Sequence, residues 1–155
     1  MFKKTSKWWK RGVKIMLSGE YKHTVDAKNR LFIPVKHRDR LGDTFMVVKS
    51  YSEPCLTVYS MAEWEKVDEK LQSLPMTSTK GLTRFLYSSA MEAQPDAQGR
   101  ILLTPELKAY AKIDRNAVVV GCGRYAEIWS DELYETKIAE QDPEEYTEIL
   151  KNFGF

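Results

Sequence analysis

The sequence DAKNRLFIP occupies residues 26–34 and returns as DAQGRILLTP at residues 96–105. The similarity continues along the chain: VYS at residues 58–60 corresponds to IWS at residues 128–130, again seventy positions later. Matches in order, residue type and spacing together indicate two copies of one structural unit. We therefore predict five segments: a basic leader at 1–15, repeat 1 at 20–62, a helical connector at 63–90, repeat 2 at 91–134 and an acidic tail at 135–155.

Each copy predicts the same series of elements, which begins with a tight turn at Asp-Ala-x-x-Arg. Asn29 or Gly99 can supply the positive φ that such turns need, and the carboxylates of Asp26 and Asp96 can accept backbone N–H groups within the turn. A short strand follows, then a short helix that begins at the proline closing each motif. Two further strands and a helix complete each copy.

The size of each copy determines the predicted fold. A unit of about 45 residues with a few short strands buries too little apolar surface to be stable alone. The two copies should therefore pack on each other. The simplest arrangement is an α+β fold with a pseudo-twofold β-barrel, in which strands of both copies close one sheet without exposed edges and short helices flank it.

Composition places the chain among globular proteins and concentrates positive charge at its start. Hydrophobic residues make up 43% and charged residues 30%, which excludes fibrous and largely disordered classes. The first 15 residues contain six cations and no acid, so the other residues carry a net charge of −4 although the total is +2. Two interpretations of this leader stay open: a dispensable or misassigned extension before a start at Met16, or a basic arm for phosphates or lipid headgroups.

Catalytic, metal and membrane chemistry lack candidate residues. No apolar run approaches the roughly 20 residues that span a bilayer. Cys55 and Cys122 are too few for a disulfide-stapled domain and favour a reducing compartment. With His23 and His37 the only histidines, no metal cluster and no Cys-His or Ser-His-Asp arrangement can be proposed. We therefore expect no enzyme, metal, cofactor, small-molecule substrate or membrane partner, and we interpret His37 as one more polar or cationic group on a short helix.

One glycine motif imitates a cofactor site. GCGRYA at residues 121–126 follows a predicted strand with the glycine spacing of a dinucleotide-binding loop. Such a loop must lead into a helix, whereas residues 126–129 predict a strand. A hairpin turn therefore explains both glycines better. An aromatic set falls at core spacings and is interpreted as packing, not as a base-stacking platform: Tyr59, Trp64, Phe85, Trp129 and Tyr134.

Positive charge is concentrated around the first turn. Residues 22–40 contain six lysines and arginines against two aspartates, a net charge of +4. Such cations displace counterions from phosphates, and a guanidinium can also contact guanine O6 and N7. Across residues 91–134 acids outnumber bases seven to five, so copy one is expected to face DNA. The predicted DNA-binding residues are Lys22, Lys28, Arg30, Lys36, Arg38 and Arg100.

A structural interpretation of Arg30 and Arg100 stays open beside this one. Each arginine lies four residues after an aspartate and could pair with it, which would pin its own turn. The additional cations around Arg30, with few acids to neutralise them, favour DNA contact more at Arg30 than at Arg100.

The two motifs, together with Gly19-Glu20-Tyr21 and the predicted helix around Trp64, resemble the MraZ family. The resemblance runs from about Met16 to Tyr134, and the doubled Asp-x-x-x-Arg signature is more specific than either copy alone. It implies tandem SpoVT-AbrB-type repeats that pair as swapped-hairpin half-barrels. It also implies a cytoplasmic, nucleoid-associated transcriptional regulator of the division and cell-wall gene cluster, which binds repeated promoter elements in double-stranded DNA as a homo-oligomeric ring.

Three features depart from the family pattern: the leader, Asn29 where the first turn usually has glycine, and the acidic tail. A protein-interaction or scaffold module remains the alternative function, since related half-barrels serve as docking domains and the body of the chain is net acidic. Oligomers without salt-dependent DNA binding would favour it. An enzyme on a double-psi-like barrel would need a nucleophile and a base, for which the sequence offers no candidates.

Overall fold

The computed structural model describes residues 16–155, so the predicted basic leader lies outside the described residues. The described part contains eight strands and six helices. The strands are Glu20–Thr24 (β1), Arg30–Phe32 (β2), Phe45–Lys49 (β3), Leu56–Ser60 (β4), Met91–Ala93 (β5), Arg100–Leu102 (β6), Asn116–Gly121 (β7) and Ala126–Ser130 (β8). The helices are Val35–Leu41 (α1), Met61–Gln72 (α2), Met76–Tyr87 (α3), Pro105–Tyr110 (α4), Asp131–Ala139 (α5) and Pro143–Asn152 (α6).

Strand pairing crosses between the two repeats. Six strands form one antiparallel sheet in the order β1-β7-β8-β4-β3-β5, and β2 pairs with β6 in a separate two-stranded ribbon. The first strand of each repeat lies on the hairpin of the other, because β1 pairs with β7 and β5 pairs with β3. The strand order therefore stays the same when the two repeats are exchanged, which makes the topology pseudo-twofold.

The predicted α+β class is confirmed, whereas the ladders of residues 16–155 do not close one sheet. The strands β1 and β5 are the two edges of the six-stranded sheet, and no described pairing joins them. The strands β2 and β6 are three residues long and pair only with each other among the described strands. Strands this short offer too few ladder hydrogen bonds to bridge two sheet edges. The half-barrel description of each repeat stays a prediction.

The core lies between one face of the six-stranded sheet and the ribbon. Phe45 and Val47 of β3 are fully buried and, being two residues apart on a strand, point to the same face of the sheet. They share one cluster with Leu31 and Ile101, which face each other in the ribbon. Burial of each such side chain stabilises the fold by about 1.5–3 kcal/mol. Because both repeats contribute to this single core, they fold as one unit.

Helix ends follow capping chemistry. The Oγ of Ser60 accepts a backbone N–H three residues on at 3.2 Å and caps α2. Gly42, at φ 89°, ends α1. Pro105 is the first residue of α4 behind its cap Thr104, but Pro34 is itself the cap of α1. The predicted helix start at Pro34 is therefore one residue early, because copy two carries an extra residue before its proline.

The aromatic residues predicted to pack do so outside the central core. Trp64 of α2 contacts Tyr59 and Tyr87, with ring centroids 5.9 and 5.7 Å apart. The remaining pairs are Phe85 with Tyr110, at 5.7 Å, and Trp129 with Tyr134, at 6.1 Å. These contacts confirm the packing interpretation.

The glycine motif at residues 121–126 is a hairpin turn, as the sequence predicts. Gly121 ends β7, Ala126 begins β8, and the backbone N–H of Cys122 donates to the carbonyl of Tyr125 at 2.8 Å. The backbone of the segment before β1 also passes close to Gly121. A Cβ on Gly121 would lie 2.5 Å from the carbonyl carbon of Leu17. This close backbone approach, and not a cofactor, accounts for that glycine.

Candidate nucleic-acid interface

Two tight turns of matching geometry lead into the ribbon. In the first, Asp26 Oδ1 accepts the backbone N–H groups of Lys28 and Arg30 at 2.9 Å, and its Oδ2 accepts Arg30 Nε at 2.7 Å. In the second, Asp96 Oδ1 accepts the two equivalent N–H groups at 3.0 and 2.9 Å, and its Oδ2 accepts Arg100 Nε at 2.9 Å. Each carboxylate thus holds both the backbone and the arginine of its own turn.

Each turn is also hydrogen-bonded to the other repeat through the backbone carbonyl of its fourth residue. Asn29 and Gly99 have φ values of 62° and 79°, in the left-handed region that the turn demands. The carbonyl of Asn29 accepts the N–H of Leu103 at 2.8 Å, and the carbonyl of Gly99 accepts the N–H of Ile33 at 2.9 Å. Because these bonds are reciprocal, they place the two turns side by side. We call residues 26–30 and 96–100 the paired turns.

A second reciprocal contact comes from the short helices. Arg38 of α1 lies seventy positions before Lys108 of α4, and each reaches the turn of the other repeat. Lys108 Nζ donates to Asn29 Oδ1 at 2.9 Å. A Cβ on Gly99 would lie 2.7 Å from the guanidinium carbon of Arg38, so the missing side chain of Gly99 leaves room for Arg38. Asn29 therefore has a partner that a glycine at this position would lack.

Arg38 is held on the protein by more than the turn. Its Nε donates to the carbonyl of Ile33 at 2.8 Å, and its guanidinium lies over the ring of Phe32, 5.6 Å from the centroid. Lys108 was not among the predicted residues, although the offset that relates the two turns also aligns it with Arg38. Sequence reasoning missed it because the extra residue before Pro105 hides this alignment.

The other predicted cations do not all join the paired turns. Lys28 lies within the first turn with an exposed side chain. Lys36 is exposed on α1, and its Nζ lies near Gly19. Lys22 is on β1 and pairs with Asp131 at 3.4 Å and with a second acid of α5 at 3.9 Å. Two aspartates and five cations therefore lie in the paired turns or against them. The cations are Lys28, Arg30, Arg38, Arg100 and Lys108.

The aspartates of the paired turns stay ionised at neutral pH. The backbone N–H of Arg30 is the largest cause that lowers the pKa of Asp26, against an opposing effect of burial, and the Arg30 side chain lowers it further. The N–H and guanidinium of Arg100 lower the pKa of Asp96 in the same way. Arg100 Nη1 also lies 3.9 Å from Asp26 Oδ2. Each aspartate is therefore matched by an arginine, which leaves the other cations of this surface in excess.

His37 is not the polar or cationic surface group that the sequence analysis expected. Its ring is fully buried, its Nε2 lies 3.1 Å from the carbonyl of Ser18, and it meets the ring of Tyr21 edge to face. Its Nδ1 has no partner among residues 16–155. Burial is the main cause that lowers its pKa, and nearby Lys36 and Arg40 add to it while Ser18 opposes. His37 is therefore a neutral core residue, at the position where copy two has the buried Leu107.

The stability of the protein should fall as the pH drops below 6.5, and His37→Leu should remove this dependence. The unfolded histidine binds a proton near pH 6.5, whereas the folded one resists it, so acid favours the unfolded state. Asp26 and Asp96 lose their stabilising effect only nearer pH 3.8. Urea unfolding between pH 8 and 5, followed by tryptophan fluorescence, checks this. Parallel pH profiles for the two proteins would contradict it.

Residues 16–155 offer neither a metal site nor a membrane-spanning helix. Within residues 16–155 no group of three or more histidine, cysteine or acidic side chains is placed to hold a metal ion. No helix in this part of the chain has the length and apolar character needed to cross a membrane. The paired turns therefore remain the main candidate site, and their chemistry suits an anionic partner.

Comparison with known families decides the relationship of the chain. The family model described as "MraZ protein, putative antitoxin-like" matches residues 16–83 and again residues 86–152. The chain belongs to the MraZ family. The two matches to one MraZ model follow each other along the chain, so the internal repeat found in the sequence is confirmed.

Curated MraZ proteins resemble the chain over most of its length. The "Transcriptional regulator MraZ" of Caldanaerobacter subterraneus subsp. tengcongensis is 42% identical over 143 residues, which are 90% of this chain and 99% of that protein. The protein of the same name from Carboxydothermus hydrogenoformans is 44% identical over 121 residues, 77% and 84% of the two chains. That of Ligilactobacillus salivarius is 40% identical over 139 residues, 88% and 96%. As a member of the MraZ family the chain is not an enzyme, as predicted.

Proposed function

We propose that this chain is a transcriptional regulator whose paired turns bind double-stranded DNA. The observation that carries the proposal is the convergence of two arginines on one carboxylate, since Asp26 Oδ2 lies 2.7 Å from Arg30 Nε and 3.9 Å from Arg100 Nη1. Two guanidinium groups side by side on an exposed turn suit phosphates and the major-groove edge of guanine. The relatives named "Transcriptional regulator MraZ" support a role in transcription.

Pairing with aspartate is compatible with DNA contact by Arg30. The aspartate accepts Nε, and the two terminal amino groups of Arg30 make no hydrogen bond to any described residue. A guanidinium that is fixed through Nε keeps both amino groups for a bidentate contact. We therefore assign Asp26 the role of orienting Arg30. Asp96 holds Nε of Arg100 in the same way, although Nη2 of Arg100 also donates to Gln98 Oε1 at 3.2 Å. In this proposal the ion pair and the DNA contact use different atoms of the same Arg30 side chain.

Both repeats contribute to the proposed DNA surface, and copy two contributes Lys108 besides the predicted Arg100. Arg100 lies beside the first turn, and Lys108 reaches it through Asn29. Lys28 is free in the described structure to approach a phosphate. Arg38 contributes its positive charge while its Nε stays on the protein. We assign Lys36 and Lys22 a peripheral place, since Lys36 lies toward β1 and Lys22 is paired with α5.

We further propose that several protomers act together on repeated sites. One basic surface with two arginines makes few contacts, so a single promoter element should be bound weakly. A ring that aligns several such surfaces with tandem elements raises the affinity through effective concentration. The target would be the promoter of the division and cell-wall gene cluster, and the place of action the cytoplasm and nucleoid. The exchange of β1 and β5 between repeats supports pairing as swapped half-barrels.

Binding to tandem promoter elements should exceed binding to a single element by about 100-fold or more. The measurement is fluorescence anisotropy with two labelled promoter duplexes, one with all elements and one with a single element and the rest scrambled. A rise from 50 to 200 mM salt should lower the affinity about 10³-fold if six phosphates are contacted. Oligomer size is recorded alongside under the same conditions.

Two outcomes would overturn the proposed function. Equal affinity for both duplexes would remove the multivalent mechanism, whereas absence of binding at low salt would remove DNA as the partner. Oligomers that persist without any DNA binding would favour the scaffold module instead.

A further inference from the structure

The C-terminal helix α6 carries an apolar face that no other residue of 16–155 covers. Tyr146, Ile149, Leu150 and Phe153 recur at the spacing of one helix face. Their side chains are between 45% and 79% exposed, and every residue from Ile138 to Phe155 is exposed. The predicted acidic tail therefore contains an amphipathic helix, with its acids on the other sides.

Helix α6 needs a partner to be stable. It has ten residues, and isolated helices shorter than about 12–15 residues are marginal in water. Its own ends are well formed, since Asp142 caps it and Pro143 is its first residue. Capping alone does not explain a row of large apolar side chains in solvent. Such an exposed face is typical of an interaction surface.

A matching groove opens between the outer face of the sheet and the helices α2 and α3. The cavity measures about 540 Å³. Its floor includes Val48 and Tyr59 from the sheet, its walls include Val67 of α2 and Leu86 of α3, and Leu74 lies at its rim, 41% exposed. An apolar groove between helices is the usual receptor for the apolar face of an amphipathic helix.

The charges of the two surfaces are complementary. Among the described residues, Lys49 and Lys70 are the only charged side chains that line the groove. Lys49 is neutralised by Glu106 at 3.1 Å, so Lys70 supplies the unpaired positive charge of this groove in the described structure. Helix α6 carries Glu144, Glu145 and Glu148 against the single cation Lys151. A negatively charged helix would therefore be attracted to this groove, whereas a basic segment would be repelled.

We propose that α6 of one copy docks into the groove of a second copy of this chain. Every copy then donates a helix and offers a groove, which makes the contact head-to-tail. Contacts of this kind close into rings when the rotation between neighbours allows it. The inference deepens the proposed function by naming the surface that brings the paired turns together, and it stands or falls without reference to DNA.

Mixing two disabled variants tests the docking. Ile149→Glu with Leu150→Glu removes the helix face, and Leu74→Glu with Leu82→Glu blocks the groove rim. All four residues are exposed, so both proteins should fold with unchanged melting temperature. Wild type should form oligomers in native mass spectrometry and sedimentation, whereas each variant alone should be monomeric. An equimolar mixture should form a 1:1 heterodimer, because it contains one intact helix and one intact groove per pair.

Lys151→Glu is the matched control for the helix variant. It changes the net charge by the same amount but lies on the opposite side of α6 from Ile149 and Leu150, so its oligomers should equal those of wild type. Variants that assemble like wild type would overturn the proposal. So would a mixture that stays monomeric, because an intact helix and an intact groove would then be present without binding each other. A wild type that is itself monomeric, as it would be if α6 folded onto its own groove, would overturn it too.

The same proteins separate this inference from the proposed function. The monomeric variants should bind a single promoter element as wild type does, and should lose only the gain from tandem elements. Heterodimer formation without any DNA binding would leave the docking intact and remove the DNA proposal.

Discussion

Arg30→Ala is expected to weaken binding to tandem promoter elements by about 100-fold or more, with little change in melting temperature. A single bidentate arginine contact is worth about 1–3 kcal/mol, and a multivalent assembly loses it at every protomer. The turn itself should persist, because Asp26 keeps the two backbone N–H bonds that define it. Fluorescence anisotropy at constant salt measures the loss, and circular dichroism follows the melting temperature.

Lys22→Ala is the control for Arg30→Ala. It removes one positive charge from the same repeat, but Lys22 is already paired with Asp131 on α5. Its affinity for DNA should change by no more than about threefold, as expected for a screened and neutralised charge. If both variants lose affinity equally, only net charge matters. If Arg30→Ala binds like wild type and melts earlier, Arg30 is a structural residue and the assigned site is wrong.

Gly121→Ala is expected to lower the free energy of unfolding by about 3 kcal/mol or more. The added methyl group would overlap the backbone nitrogen of Ser18 and lie 2.5 Å from the carbonyl carbon of Leu17. Backbone cannot rotate aside as a side chain can, so the segment before β1 must move. That movement would stretch the hydrogen bond from Gly121 N–H to the carbonyl of Gly19, now 2.8 Å. Urea unfolding followed by tryptophan fluorescence measures the change.

Gly81→Ala is the matched control for this prediction. Gly81 lies in the interior of α3 with open space around it, so the methyl group meets nothing. Alanine favours the helix over glycine by about 1 kcal/mol, and this variant should be more stable than wild type. A Gly121→Ala protein as stable as wild type would mean that the chain before β1 does not pass over β7.

The sequence predicts the parts of this fold that are set by local chemistry. The two Asp-Ala-x-x-Arg turns and the hairpin at residues 121–126 depend on residues close in the chain. Each of these residue types has a strong backbone preference or a short side chain that bonds nearby. The fixed offset between the two copies supports the predicted elements more strongly than one copy of the motif would.

The parts that the sequence does not predict depend on contacts between distant segments. β1 and β5 form strands because each pairs with the hairpin of the other repeat. The burial of His37 follows from the segment around Ser18 that covers it, and a histidine on a short helix gives no sign of this. The positions of Lys108 and Arg38 against the opposite turns are visible only once the repeats are paired. The sequence does not predict helix α6, because its many acidic residues are typical of a solvated tail.

Reciprocal pairing of the repeats makes the protomer the covalent equivalent of a twofold dimer. A true dimer of identical subunits presents identical reading elements and is suited to palindromes. Fusion frees the two halves to diverge, as the pair of Asn29 and Lys108 on one side and the pair of Gly99 and Arg38 on the other show. The protomer consequently has a direction. A directional unit can take the same orientation on each member of a direct repeat, which a symmetric dimer cannot do.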